Sequence, residues 1–231
     1  MLVALAGAAQ AGELFLLSDP SGLAAEAEFT LLGPTSLQVR LRNTSTGVPL
    51  GSTEADQILT GVSWDFGAPG VNVGDVDIIA GSVMTGPTSL SLNFSVTDVG
   101  PSADVSGEYG YGNDDGTGAL PNFISSNTAG SIGFGGANLD GPADRDGPQA
   151  GLVAAPVLIP LNGLGAIQDE IIATVTLDRP ITEQELLADL YSHHVRVEFG
   201  SDATFLETPE PQTVVMLVLG AATLFRVRRF R

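Results

Sequence analysis

Apolar and polar residues alternate one by one in several short segments of this chain, and this feature limits its fold more than any other. Between Leu37 and Leu41 every second residue is apolar, and Ser89–Val96 and Glu170–Leu177 repeat the pattern. A period of two gives a strand one buried face and one face in water. Gly- and Pro-containing turns separate these segments, so the sequence predicts a mainly β chain.

Seven segments are predicted to be strands, and helical periodicity is nearly absent. In Ser89–Val96 we expect the apolar Leu90, Leu92, Phe94 and Val96 to face the core. The predicted strands are Ala25–Leu32, Thr35–Arg42, Ile58–Phe66, Val76–Met84, Ser89–Val96, Glu170–Leu177 and Val195–Phe199.

One helix is predicted near residues 182–192, because Thr182 and Glu185 have the spacing of a capping box. Strands and helices do not alternate as a parallel sheet would require. The predicted fold is therefore a single antiparallel β-sandwich, jelly-roll-like, over residues 12–207, with that helix and a C-terminal hydrophobic helix. Residues 101–148 are rich in Gly and Asp and predict loops or very short strands.

Acidic residues greatly outnumber basic residues in this chain. It has 27 acidic residues, nine Arg and no Lys or Cys, with a net charge of -18. Without residues 209–231 the body is more acidic still, near −21 from 26 acidic residues and five Arg. Such a body repels nucleic acid phosphates and stays soluble by self-repulsion. The lack of cysteine excludes disulfides and Cys-based metal sites.

The two ends of the chain carry hydrophobic targeting patterns. Residues 1–11 are apolar and end in Ala9-Gln10-Ala11, which fits a signal peptidase site before Gly12, although the usual positive n-region is missing. We interpret residues 1–11 as a truncated signal peptide; a buried N-terminal strand is the alternative.

At the other end, Pro209-Glu210-Pro211 precedes an apolar run over Val214–Phe225. A basic cluster then follows, made of Arg226, Arg228, Arg229 and Arg231. As a helix, twelve residues span about 18 Å, less than the ~30 Å hydrocarbon core of a bilayer. The segment therefore suits a transient anchor better than a permanent span, with the Arg cluster on the cytoplasmic side.

Residues 208–231 resemble the PEP-CTERM sorting signal of bacteria that secrete exopolysaccharide, since its three elements occur here in order. The resemblance implies that an exosortase, a membrane-embedded processing enzyme, recognises this chain near Pro209-Glu210-Pro211. A hydrophobic helix over 213–225 would hold the precursor in the membrane. The implied destination is the cell surface or the extracellular matrix, where exopolysaccharide is a further expected partner.

The body resembles one group of such cargo, the XDD-type exosortase-dependent surface proteins. The resemblance rests on short motifs: Asn43-Thr44-Ser45, Ile58–Val62 leading into Trp64-Asp65-Phe66, Gly110–Gly116, Gly147–Val153 and Gln168-Asp169. It implies a surface or matrix protein and carries no catalytic residues that could be transferred to this chain.

Clustered carboxylates suggest one cofactor, Ca²⁺, which binds six to eight oxygen ligands on a turning backbone. The predicted ligands are Asp140, Asp144, Asp146, Asn113, Asp114 and Asp115. The alternative is that these are solvated Asp/Gly turns that bond their own backbone. A site made of His193 and His194 is disfavoured, because neighbouring side chains point in different directions.

The sequence predicts a structural protein without catalytic activity, because it has neither a nucleophile motif such as G-x-S-x-G nor a supported acid pair. The alternative function is a carbohydrate-binding module. Under that alternative, Tyr109 and Tyr111, in a Gly-rich loop, would be exposed and contact sugar rings, with Ca²⁺ assisting the binding. Trp64, by contrast, is predicted to pack in the core.

Overall fold

The computed structural model describes residues 12–47, 55–65, 76–94, 97–113, 122–127, 131–136, 139, 148–159, 161–192, 195–200 and 204–208. The predicted signal peptide, the sorting motif with its apolar run and Arg cluster, and His193 and His194 lie outside these residues. So do five of the six predicted calcium ligands: Asp114, Asp115, Asp140, Asp144 and Asp146.

Strands dominate the described part of the chain, and one α-helix, α1 over Glu183–Ser192, accompanies them. The strands are β1 Gly12–Ser18, β2 Ala24–Gly33, β3 Ser36–Asn43, β4 Leu59–Trp64, β5 Ile78–Thr85, β6 Ser91–Leu92, β7 Gly110–Gly112, β8 Asn122–Ser125, β9 Ile132–Gly133, β10 Leu152–Val153, β11 Ala166–Gln168, β12 Glu170–Leu177, β13 Val195–Phe199 and β14 Thr204–Glu207.

These strands form two sheets. Sheet 1 has the order β1-β2-β3-β12-β5, and all its neighbours are antiparallel. Sheet 2 has the order β6-β11-β10-β4-β8-β7-β9, and β13 joins β4 to β14. Its pairs are antiparallel except β10 with β11, which run parallel. The predicted mainly β class, with antiparallel sheets and one helix, is confirmed.

The larger of two hydrophobic clusters in the described residues lies between the two sheets. Leu37, Val39 and Leu41 of β3 are buried in the same cluster as Val62 of β4 and Val197 of β13. The predicted core position of Trp64 is confirmed, since its side chain is fully buried. Its ring meets that of Phe29, from sheet 1, edge-on with centroids 5.3 Å apart. The alternation in the sequence therefore buries one face of each sheet against the other, as in a sandwich.

Helix α1 begins with the predicted capping box. The Glu185 amide donates to the Thr182 hydroxyl at 3.1 Å, and the Thr182 amide donates to the Glu185 carboxylate at 2.7 Å. Two amide groups that lack partners within the helix are thus satisfied. No helix in the described residues is long and apolar enough to cross a membrane.

The segment predicted as the strand Ser89–Val96 differs from expectation. Among its described residues, 89–94, only Ser91–Leu92 form a strand, because Asn93 adopts a left-handed conformation with φ 63°. At the start of the segment the buried side is the opposite one, since Ser89 and Ser91 are buried and Leu90 is 42% exposed. The predicted core position of Phe94 is confirmed. The two serines can be buried because their hydroxyls have partners, Asp169 for Ser89 and the Val99 backbone for Ser91.

Candidate functional site

The densest buried polar cluster that we find in the described residues lies where the chain crosses from sheet 2 to sheet 1. Asp169 is the single residue between β11 of sheet 2 and β12 of sheet 1. It has a left-handed backbone with φ 60°, which Asp tolerates better than most residues. We call the cluster of Asn43, Ser45, Ser89 and Asp169 the polar junction.

Asn43, the last residue of β3, connects the two sheets through its side-chain amide. Its Nδ2 donates to the carbonyl of Leu152 in β10 at 2.8 Å and to that of Gln57 at 3.3 Å. Its Oδ1 accepts from the Ser45 amide at 3.0 Å. Asn43 is only 2% exposed, so these bonds replace water that it cannot reach when folded.

Asp169 makes the second connection. Its backbone amide donates to the Val153 carbonyl of sheet 2 at 2.7 Å, and its carbonyl accepts from the Asn43 amide of sheet 1 at 2.9 Å. One carboxylate oxygen accepts from the Ser89 hydroxyl at 2.7 Å, and the other from Arg42 at 3.3 Å. The carboxylate is therefore partnered on both oxygens.

Charged side chains extend from the junction across the outer face of sheet 1. Arg40 lies 2.9 Å from Glu28 and 3.6 Å from Glu170, and Arg42 lies 4.0 Å from Glu26. Burial raises the pKa of Glu170 above its usual value, and neighbouring Asp169 adds to the rise, while Arg40 opposes it. Two of the few arginines of an acidic chain are thus placed among carboxylates on one face.

A small cleft opens beside the junction, lined by Asn43, Ser45 and Gln57 on one side and by Val153, Leu158 and Ile159 on the other. Its cavity volume is only about 10 Å³, roughly the space for one water molecule. Small-molecule sites usually occupy ~300–1,000 Å³. The cleft is therefore below the size at which such a ligand would be enclosed.

Three of the short motifs singled out in the sequence meet in this part of the fold. Asn43-Thr44-Ser45 and Gln168-Asp169 supply the junction itself, and Gly147–Val153 supplies Leu152 and Val153, which accept its hydrogen bonds. Ile58 adjoins as well, since it follows Gln57, whose carbonyl accepts from the Asn43 side chain. Segments that are far apart in sequence therefore come together here and connect the two sheets at this end.

The chemistry available at the junction is that of hydrogen bonds and ion pairs. The Ser89 hydroxyl donates directly to a carboxylate, and both histidines of the chain lie outside the described residues. A serine nucleophile needs an adjacent base that can accept its proton and a donor set for the oxyanion. Ser89 is instead fully buried and fixed as a donor, so its role here is structural.

The predicted exposure of Tyr109 and Tyr111 is wrong. Tyr109 is 1% exposed and its hydroxyl donates to the Ala150 carbonyl at 2.7 Å. Tyr111 is 8% exposed, its hydroxyl donates to the Ile79 carbonyl at 3.0 Å, and its ring packs on Phe134. Burial also raises the pKa of the Tyr109 hydroxyl. The glycines flanking these tyrosines made the segment resemble an open loop, but both rings fill the core.

Asn113 is the one predicted calcium ligand that lies within the described residues. Its Oδ1 accepts a hydrogen bond from the Ile78 amide at 3.0 Å, at the start of β5. This oxygen is thus already engaged with the backbone. No group of three or more His, Asp or Glu side chains in the described ranges is arranged to hold a metal ion. Calcium binding by the acidic segments remains a prediction.

Comparison with protein-family models, curated proteins and solved structures found no match for this chain.

Proposed function

We propose that this chain is an exported structural protein of the cell surface or the extracellular polymer, without catalytic activity. An exosortase would process it within residues 208–231. The observation that carries the proposal is the order of three elements in the sequence: Pro209-Glu210-Pro211, the apolar run Val214–Phe225, and the terminal Arg cluster. A basic cluster after an apolar segment favours the cytoplasmic side and leaves the body outside.

The first and last described residues, Gly12 and Thr208, both belong to or adjoin strands. Strand β1 begins at Gly12, directly after the predicted signal peptidase site. At the other end, Thr208 is fixed to β13: its amide donates to the Val195 carbonyl at 3.0 Å, and its hydroxyl accepts from the Val195 amide at 3.2 Å. Gly12, which pairs with Thr30, and Thr208 are thus both held by the sheets close to the proposed processing positions.

The polar junction supports a structural role. Its buried groups are used to join the two sheets, and the adjoining cleft is small. The carbohydrate-binding alternative relied on Tyr109 and Tyr111 as exposed rings, and their burial removes its main support.

The test compares processing in cells with and without the exosortase. We expect the chain to accumulate as a larger, membrane-held form when the enzyme is absent, which immunoblotting of fractionated cells would reveal. Replacing Pro209-Glu210-Pro211 by alanines should give the same result in cells that have the enzyme. Gln212→Ala, one residue beyond the motif, is the matched control and should be processed normally. Equal size and location in both strains would contradict the proposal.

A further inference from the structure

Resting on the proposed membrane anchoring, we infer that the precursor stands with one particular end of the sandwich toward the membrane and presents the polar junction away from it. Two ends of the sandwich must be distinguished. The terminal pole carries Gly12 and Thr208, where the predicted signal peptide and sorting segment join the fold. The junction pole carries Ser18, Asn43 and Asp169.

The strand register places the start of β1 and the end of β14 at the same pole. Glu13 pairs with Phe29, and the Phe29 ring contacts the Trp64 ring of sheet 2. Trp64 pairs with Val195, whose backbone holds Thr208. Gly12 and Thr208 are therefore joined by a short, continuous series of contacts across the core.

The junction lies at the opposite end of the same strands. Within sheet 1, Ser18 pairs with Ala24, and the Ala24 carbonyl accepts from Thr44, next to Asn43. Thr176 pairs with Ser36 at the other end of β3. Ser36 and Thr44 are eight residues apart, which corresponds to about 26 Å along a strand. The two poles are thus separated by a distance that can be measured.

The chain between the fold and the apolar run is short. From Thr208 to Val214 there are six Cα steps, which reach at most about 22 Å when fully extended. The terminal pole must therefore stay near the surface where the apolar run enters the membrane. The acidic body, near −21, opposes lying flat on an anionic surface. Tether and charge act together to turn the junction pole outward.

The experiment uses the absence of cysteine in the full chain, which allows a single label to be placed at will. Thr176→Cys marks the terminal pole and Ser18→Cys marks the junction pole, and both positions are exposed strand residues of sheet 1. Each variant carries a donor dye and is reconstituted, as the full chain, into anionic vesicles of phosphatidylcholine and phosphatidylglycerol that contain rhodamine-labelled phosphatidylethanolamine. Unchanged melting temperatures of both variants establish that the labels leave the fold intact.

We expect energy transfer to the lipid dye to be more efficient from residue 176 than from residue 18. Vesicles that float with the protein but give equal or reversed efficiencies would overturn the inference while leaving the proposed anchoring in place. Protein that does not float with the vesicles would contradict the anchoring itself, and the orientation with it.

Discussion

Truncating Asn43 to alanine tests whether the polar junction holds the two sheets together. The side chain makes hydrogen bonds to three backbone groups: the Leu152 carbonyl at 2.8 Å, the Gln57 carbonyl at 3.3 Å and the Ser45 amide at 3.0 Å. Alanine removes all three bonds. The backbone groups that lose them lie where Asn43 itself is only 2% exposed, so water replaces the lost bonds poorly.

The expected loss of unfolding free energy follows from these bonds. A hydrogen bond contributes about 1 kcal/mol net, and leaving its partner buried and unpaired costs about 1–3 kcal/mol. Because the adjoining cleft admits some solvent, we take the low end and expect a loss of about 3 kcal/mol for Asn43→Ala. For a chain of this size, each kcal/mol lowers the melting temperature by about 2–4 °C, which gives a decrease of about 6–12 °C.

Guanidinium denaturation and thermal melting of the variant and the parent measure both quantities. Gln38→Ala is the matched control, because Gln38 lies on the same strand but on its outer, half-buried face. The control should change stability by less than about 0.5 kcal/mol. If Asn43→Ala costs no more than Gln38→Ala, the reasoning that assigns the junction a role in joining the sheets is refuted.

Three further predictions concern the helix cap, one carboxyl group and calcium. Thr182→Ala removes the cap of α1 and should cost about 1 kcal/mol in denaturant unfolding, and an unchanged midpoint would contradict it. The pKa of Glu170 is raised in the folded state, so its contribution to stability is present below the unfolded pKa and is lost as pH rises through the folded one. Glu170→Gln should therefore gain stability relative to the parent as pH rises from about 4 toward 7, which melting temperatures across that range would show; a relative loss would have the wrong sign. If Asp140, Asp144 and Asp146 bind calcium, millimolar Ca²⁺ should raise the melting temperature of the parent, and an unchanged value would contradict the site.

The local sequence pattern was sufficient to predict features that depend on one strand or one helix end alone. Glu170–Leu177 and Val195–Phe199 are strands with the predicted bounds. The capping box at Thr182 forms both of its hydrogen bonds because all the groups involved lie within four residues. Such features need no information from the rest of the chain.

The segment Ser89–Val96 shows where local pattern fails. Its period of two is visible in the sequence and Phe94 is buried as predicted, but Ser89 and Ser91 are buried in place of Leu90. Hydrophobicity alone favours Leu90 inside, since burying a serine hydroxyl without a partner costs free energy. Here Asp169 and the Val99 backbone supply the partners, and neither can be assigned from the segment itself. Tyr109 and Tyr111 follow the same rule, because distant carbonyls accept from their buried hydroxyls.

The sequence by itself determined the mainly β class, the helix with its cap, the core position of Trp64 and the acidic character of the body. It also carries the C-terminal pattern that we propose to be a sorting signal. Only the tertiary structure decided that Arg42 and Asp169, 127 positions apart, would meet at the junction of the two sheets. The physical reason is that a buried polar side chain needs a hydrogen-bonding partner. At this junction the partner comes from a distant segment of the chain, which the local periodicity of a strand does not reveal.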